Sequence, residues 1–157
     1  MIIRPYTPSD AIKCREVFIS NIPKYFAENE IEFLDKWLNA LDNDTLHHSD
    51  AESIYFYVLE LKGELIGCAG FYFVKGENKA QLNWGMVHAE HHNQGYGKLF
   101  FDYRVNKIKE LSPDRQVTLW TSQYTFKFYE KLGMKTESVT PNGFGNGFDK
   151  YVMYVPA

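Results

Sequence analysis

Cysteine is scarce in this chain of 157 residues: it has two, Cys14 and Cys68, far apart and in no C-x-x-C arrangement. That scarcity excludes a disulfide scaffold, and reduced, buried thiols in a cytoplasmic protein are the simplest reading. Long apolar runs are absent too, and the start, Met-Ile-Ile-Arg-Pro-Tyr, lacks the apolar core of a signal peptide. A soluble, cytosolic protein with no membrane partner is the expectation. Basic charge is not in excess, since the formal net charge is −3, which leaves no footprint for nucleic acid. No internal repeat or low-complexity segment interrupts the chain, and its length suits a single domain over 1–157 with a core of its own.

Aromatic residues are abundant. At 17% they exceed what an ordinary core needs and suggest aromatic surface around a cleft, whereas 45% hydrophobic and 24% charged residues are ordinary for a globular protein. Ile2 to Tyr6 reads as a short strand, and Ser9 or Asp10 can cap the helix that follows. Its stripe is Ala11, Cys14, Val17, Phe18 and Ile22, and Pro23 ends it. A second helix is expected over Glu28 to Leu41 from Ile31, Leu34, Leu38 and Leu41. Asp42 to Asp50 reads as a polar loop. Its Asp-Asn-Asp start invites comparison with a calcium loop, but His47 and Ser53 stand where that loop needs Gly and Glu. Strands are expected over Ile54 to Leu61 and Glu64 to Val74, turned by Lys62-Gly63, then over Gln81 to Val87. Further on, Val117 to Thr121 reads as a strand and Phe128 and Leu132 share a helix face that Gly133 terminates. Two strands, Met134 to Thr140 and Phe148 to Val155, flank a glycine-rich Pro141 to Gly147.

The central stretch is Met86 to Lys98, Met-Val-His-Ala-Glu-His-His-Asn-Gln-Gly-Tyr-Gly-Lys, where a strand ends and a glycine-bearing loop enters a helix carrying Leu99, Phe100, Tyr103, Ile108 and Leu111. The uncovered N–H groups and partial positive charge of such a helix start attract an anion such as phosphate. Gly95 and Gly97 let it approach the backbone. Gly85 between Trp84 and Met86 suggests a bulge, whose unpaired strand groups can bond an extended, amide-containing ligand. Pantetheine joined to a pyrophosphate is such a ligand. Gly97 is followed by Lys98 and Leu99 rather than Lys and Ser/Thr, so a P-loop reading fails.

Val87 to Gly97 resembles the acyl-coenzyme A binding motif of the GNAT (Gcn5-related) N-acetyltransferases, with His92-Asn93-Gln94-Gly95-Tyr96-Gly97 in its six positions. His92 stands where the family has Gln or Arg. The order β-α-α-β-β-β-α-β-α-β-β also resembles the GNAT fold, which implies an α/β domain with a mixed central sheet of about seven strands and flanking helices. Phe128-Tyr129-Glu130-Lys131-Leu132-Gly133-Met134 resembles a second family segment, whose Tyr points at the coenzyme sulfur. The resemblance implies acetyl-coenzyme A as acyl donor, held by Met86, Val87, His88, His92, Asn93, Gln94, Gly95, Tyr96, Gly97, Lys98, Ser122 and Phe128. Tyr129 would be the general acid on the leaving thiolate. The family often has Asn where this chain has Ser122; Ser122 or Gln123 either replaces that contact or caps a helix.

The general base is harder to find. Histone-acetylating relatives use a Glu at the position of Gln81, and an amide cannot take a proton at neutral pH. His88 has a suitable intrinsic pKa to serve directly or through water, with Glu77 and Glu90 behind it; a loop histidine without a chemical role is the alternative. His88, His91 and His92 cluster, but no further ligand completes a tetrahedral set, and no metal is expected. The resemblance puts the acceptor near Asn21 to Asn29 and Pro141 to Lys150, so Tyr25, Phe26, Glu28 and Phe144 are candidates to face an incoming amine. The implied activity is N-acetyl transfer to a primary amine of a small molecule or peptide in a ternary complex. A non-catalytic acyl-coenzyme A sensor on the same fold is the alternative, and a homodimer is left open.

Overall fold

The structure, a computed structural model, describes residues 1–43, 45 and 50–157. His47 of the calcium-loop comparison lies outside the described residues. Its elements are β1 (Ile2–Pro5), α1 (Ala11–Ser20), α2 (Ile31–Asp42), β2 (Ala51–Leu61), β3 (Glu64–Val74), β4 (Lys79–Val87), α3 (Tyr96–Leu111), β5 (Gln116–Thr121), α4 (Phe126–Lys131), β6 (Lys135–Gly145) and β7 (Phe148–Tyr154). The order is the expected one. Residues 28–30, expected as the start of the second helix, form a separate 3-10 turn, because the Glu30 carboxylate turns back to accept the Ala27 N–H at 2.8 Å.

The seven strands form one mixed sheet in the order β1-β2-β3-β4-β5-β7-β6, antiparallel everywhere except between β4 and β5. Helices cover both faces, which is why β2 and β3 read as nearly continuous apolar runs rather than as alternating ones. On one face Phe100, Phe101, Val105 and Ile108 of α3 pack on Tyr57, Leu59, Phe71, Leu82 and Leu119. On the other, Cys14 and Phe18 of α1 and Leu34, Trp37 and Leu38 of α2 pack on Phe56, Val58, Cys68, Tyr72 and Met86. Lys62 (φ 52°) and Gly63 (φ 80°) make the tight hairpin turn between β2 and β3 that their sequence suggests.

The last hairpin departs from expectation. Most of Pro141 to Gly147 is not a loop: β6 runs through to Gly145, with a register irregularity between Thr140 and Gly145, and the turn itself is Asn146-Gly147. β6 is the edge of the sheet, where a proline takes no hydrogen bond away from a neighbouring strand.

Candidate active site

The site begins where two parallel strands part. β4 pairs with β5 from Lys79↔Gln116 to Leu82↔Leu119 and, among the described residues, no further, while β5 stays paired with β7 on its other edge from Thr118 through Thr121. The sheet therefore opens into a wedge at the carboxyl ends of this parallel pair, the kind of crevice in which α/β sheets hold ligands. A bulge in β4 widens it: Met86 faces Cys68 and Asn83 faces Gly70, so Trp84 and Gly85 together oppose Ala69. The expected bulge is present, but Trp84, not Gly85, takes the left-handed backbone (φ 49°). Gly85 is small for another reason. A Cβ there would lie 2.9 Å from Nη2 of Arg104.

Arg104, a residue the sequence reading passed over, is 2% exposed. Its Nη1 donates to the carbonyls of Gly70 (3.1 Å) and Asn83 (3.4 Å), and its Nε to that of Phe100 (3.3 Å). Burial lowers the guanidinium from its usual range, and the Tyr129 hydroxyl and Cys68 thiol beside it oppose the change. The signal was present: Phe100, Arg104 and Ile108 follow one another at intervals of four on the buried stripe of α3, so a cation sits in an apolar register.

The glycine loop follows β4 and leads into α3. Asn93 (φ 61°) and Gly95 (φ 86°) are left-handed, and Gly95 is the N-cap of α3. The first helical bond runs from Leu99 N–H to the Gly95 carbonyl, so the N–H groups of Tyr96, Gly97 and Lys98 precede the ladder and face outward at the positive end of the helix dipole. Gly97 is a close approach. A Cβ there would meet the Phe128 ring at 3.0 Å, which joins the start of α3 to α4. Lys98 is paired with Asp102 at 2.5 Å. His92 Nε2 bonds the Val87 carbonyl at 2.8 Å, which Asn21 Nδ2 also reaches at 3.1 Å, and the Tyr25 ring stands edge-on to His92 at 5.4 Å.

Tyr129 packs on the α3 face, its ring 6.1 Å from Phe101 and 5.0 Å from Phe128. His88 is on the opposite side. Its Nδ1 accepts the Glu90 N–H at 3.2 Å, capping the turn Ala89–His91, and it lines a small hollow with Lys13 and Glu16 of α1 and Glu64 at the start of β3. The structure thus does not bring His88 and Tyr129 together. Ser122 Oγ accepts the Tyr124 N–H at 3.3 Å, forming the turn into α4, and Gln123 bonds Gly147 O (2.7 Å) and Asp149 N (2.8 Å) across to the last hairpin. Gln81 is 7% exposed and accepts the Thr118 hydroxyl at 2.6 Å, a side-chain bridge between β4 and β5.

Phe26 packs against Phe18 (5.0 Å) and Trp84 (6.4 Å), and Asn146 Nδ2 donates to Asn29 Oδ1 at 3.2 Å, tying the last hairpin to the turn that holds exposed Glu28. Phe144, on the same hairpin, is 38% exposed. Among the described residues no group of three or more His, Cys, Asp and Glu side chains is arranged to hold a metal ion, and no helix is long and apolar enough to cross a membrane.

A family model described as the acetyltransferase (GNAT) family matches residues 16–134. Among solved structures, a putative GNAT acetyltransferase from Desulfovibrio desulfuricans is 21% identical with a TM-score of 0.79, covering 98% of this chain and 97% of that one. An aminoglycoside 6'-N-acetyltransferase complexed with coenzyme A is 16% identical (TM-score 0.74; 100% and 99% covered). A spermidine N-acetyltransferase chimera from Vibrio cholerae and hSSAT is 17% identical (TM-score 0.74; 98% and 93% covered). No curated protein matches the chain. At these identities the structures establish the fold, and the family rests on the model that spans most of the chain: the protein belongs to the acetyltransferase (GNAT) family and is an N-acetyltransferase.

Proposed function

We propose that this enzyme moves an acetyl group from acetyl-coenzyme A to a primary amine of a small molecule or peptide by direct attack in a ternary complex. The observation that carries the reading is the wedge between β4 and β5 together with the glycine-capped start of α3, which follows β4 in the chain. Backbone of the bulged β4 around Met86 and Val87 offers amide partners to pantetheine, and the loop His92 to Lys98 offers N–H groups to the pyrophosphate. Phe128, seated on Gly97, closes the coenzyme side. Tyr129 acts as general acid on the departing thiolate, and holding amine and thioester together supplies much of the rate.

On the acceptor side the reading uses Tyr25, Phe26 and Glu28 of the segment after α1 and Phe144 of the last hairpin, since aromatic faces and a carboxylate favour a cation. Structures of the same fold include an aminoglycoside 6'-N-acetyltransferase and a spermidine N-acetyltransferase, which motivates the choice of an amine acceptor. His88 is engaged as a cap, so the amine loses its proton to water or to a group beyond it. Acetyl-coenzyme A at a hundred times its Kd stabilises the native state by about 2.7 kcal/mol, visible as a raised Tm. A panel of amines monitored for free coenzyme A identifies the acceptor class. Absence of both the Tm shift and thiol release would refute the reading.

One observation favours a second reading, a coenzyme-binding sensor without turnover: the position that carries a carboxylate base in histone-acetylating relatives is Gln81, occupied in bonding Thr118. Coenzyme binding with no thiol release across the amine panel supports the sensor. Release dependent on one amine ends it.

A further inference from the structure

Beyond their last pair, Leu82↔Leu119, the ends of β4 and β5 are joined a second time through side chains. β7 runs antiparallel to β5, from Thr118↔Tyr154 to Thr121↔Tyr151, so the hairpin before β7 stands at the carboxyl end of β5, where the wedge opens. Gln123, in the turn after β5, holds that hairpin with both ends of its amide: Nε2 donates to the Gly147 carbonyl at 2.7 Å and Oε1 accepts the Asp149 N–H at 2.8 Å. At the end of β4, the Val87 carbonyl accepts Asn21 Nδ2 at 3.1 Å. Asn21 begins the segment that runs to Asn29, and there Asn146 Nδ2 of the hairpin donates to Asn29 Oδ1 at 3.2 Å. Chain and hydrogen bonds thus close a collar that starts and ends at the Leu82–Leu119 pair: β4, Asn21 to Asn29, the hairpin, Gln123 and β5. The mouth of the wedge lies within it.

The hairpin tip is built to hold its place. Asn146 (φ 55°) and Gly147 (φ 81°) form a two-residue turn in which both are left-handed, the tight connection that matches strand twist. Asn142 Oδ1 accepts the Gly147 N–H and Asp149 Oδ1 accepts the Asn142 N–H, both at 2.8 Å. Between Thr140↔Lys150 and Gly145↔Phe148, residues 141–144 face Asp149 alone, and this excess chain folds down so closely that a Cβ on Gly143 would lie 2.5 Å from Lys150 Cβ. A tip stiffened in this way depends on its outside ties for its position. Gln123 makes two bonds to it and Asn29 one, between exposed neutral amides, so the Asn29 tie is the weaker.

We infer that the Asn146–Asn29 bond is the closing link of an acceptor collar, which makes the substrate a small-molecule amine that enters the collar whole rather than a lysine within a polypeptide, whose chain continues on both sides of the reacting residue. The inference rests on the reading of the wedge as the seat of the thioester. Gln123, Asn29 and Asn146 touch no reacting atom in this scheme; they are positioning residues that act through the hairpin and set acceptor size.

The test compares kcat/KM for the best small amine of the panel with that for a peptide carrying one central lysine, in the wild type, Asn29→Asp, Asn146→Asp and Gln123→Ala. Each Asp variant adds one negative charge at the same contact, and Asp tolerates the left-handed backbone of Asn146. They differ in the link itself. Asn29→Asp keeps an oxygen that accepts from Asn146, whereas Asn146→Asp removes the donor and sets a carboxylate against the Asn29 carbonyl oxygen. The wild type and Asn29→Asp favour the small amine. In Asn146→Asp the peptide-to-small-amine ratio rises by about three- to tenfold, the worth of one neutral hydrogen bond, and KM for acetyl-coenzyme A stays put. Gln123→Ala raises the ratio as well. A wild type that prefers the peptide, a folded Asn146→Asp with an unmoved ratio, or an Asn29→Asp that moves as far as Asn146→Asp overturns the inference, while the turnover measured in each case upholds acetyl transfer. A raised KM for acetyl-coenzyme A with an unmoved ratio in Gln123→Ala removes Gln123 from the collar. No turnover of any amine overturns the proposed function and the inference with it.

Discussion

His92 shows how a single substitution in a motif is absorbed. It occupies the position at which the family has Gln or Arg, and its ring nitrogen holds the Val87 carbonyl, with Asn21 and Tyr25 completing the contact from the end of α1 and the segment after it. The residue-scale prediction is Tyr129→Phe: coenzyme affinity is kept, since the ring still packs on Phe101 and Phe128, and turnover falls by about a hundredfold, measured as free coenzyme A against time. A second concerns Asp10. Its carboxylate accepts two bonds from Arg4, at 2.8 and 2.9 Å, and the Thr7 N–H at 2.8 Å. The Arg4 guanidinium, above all, holds the Asp10 carboxyl below the usual carboxylate range; burial works against this and Thr7 adds to it. A depressed folded value means that the stabilisation is present above the ordinary carboxylate range and is lost as pH falls through the folded value. Tm therefore declines over that acid interval in the wild type, and the decline is shallower in Asp10→Asn. The left-handed Gly95 at the start of α3 was legible from residue type and spacing, and Tyr129 was singled out by the family resemblance. Arg104 was not, because its meaning depends on what lies above it in the sheet.

Elements were read well where a period was long and poorly where a turn had to be told from a strand. α3 announced itself through its apolar stripe and its glycine start. The prediction at this scale is Gly95→Ala: the left-handed φ of 86° costs a side-chain-bearing residue about 1–2 kcal/mol, so Tm falls by several degrees and the Kd for coenzyme A rises. Isothermal titration with coenzyme A measures the second effect, and binding at wild-type affinity would remove the loop from the site. Pro141 to Gly147 was read as a loop because proline and glycine usually punctuate, yet β6 continues through it. The reason is its place at the sheet edge, with β7 on one side alone. An element's boundary depended on a neighbour that local sequence does not name. The bulge illustrates the same point: Gly85 marked it correctly, but the left-handed backbone fell to Trp84, and what Gly85 accommodates is the Arg104 guanidinium.

The whole molecule is one sheet with a core on each face, and its stability is spread over both. Phe71, fully buried and stacked on Tyr55 at 4.7 Å, sits on the α3 side. Phe71→Ala loses about 3–5 kcal/mol in urea denaturation, a large share of the roughly 5–15 kcal/mol of a typical domain. The sequence by itself determined the alternation of strands and helices, the glycine loop before α3 and the family resemblance, because these follow from local periodicity and from spacing within one segment. Tertiary structure alone decided that β4 and β5 part after Leu82, that His88 caps a turn on the far face, and that a buried guanidinium lies against Gly85. Each of these joins residues distant in the chain, whose proximity is set by packing both faces of the sheet.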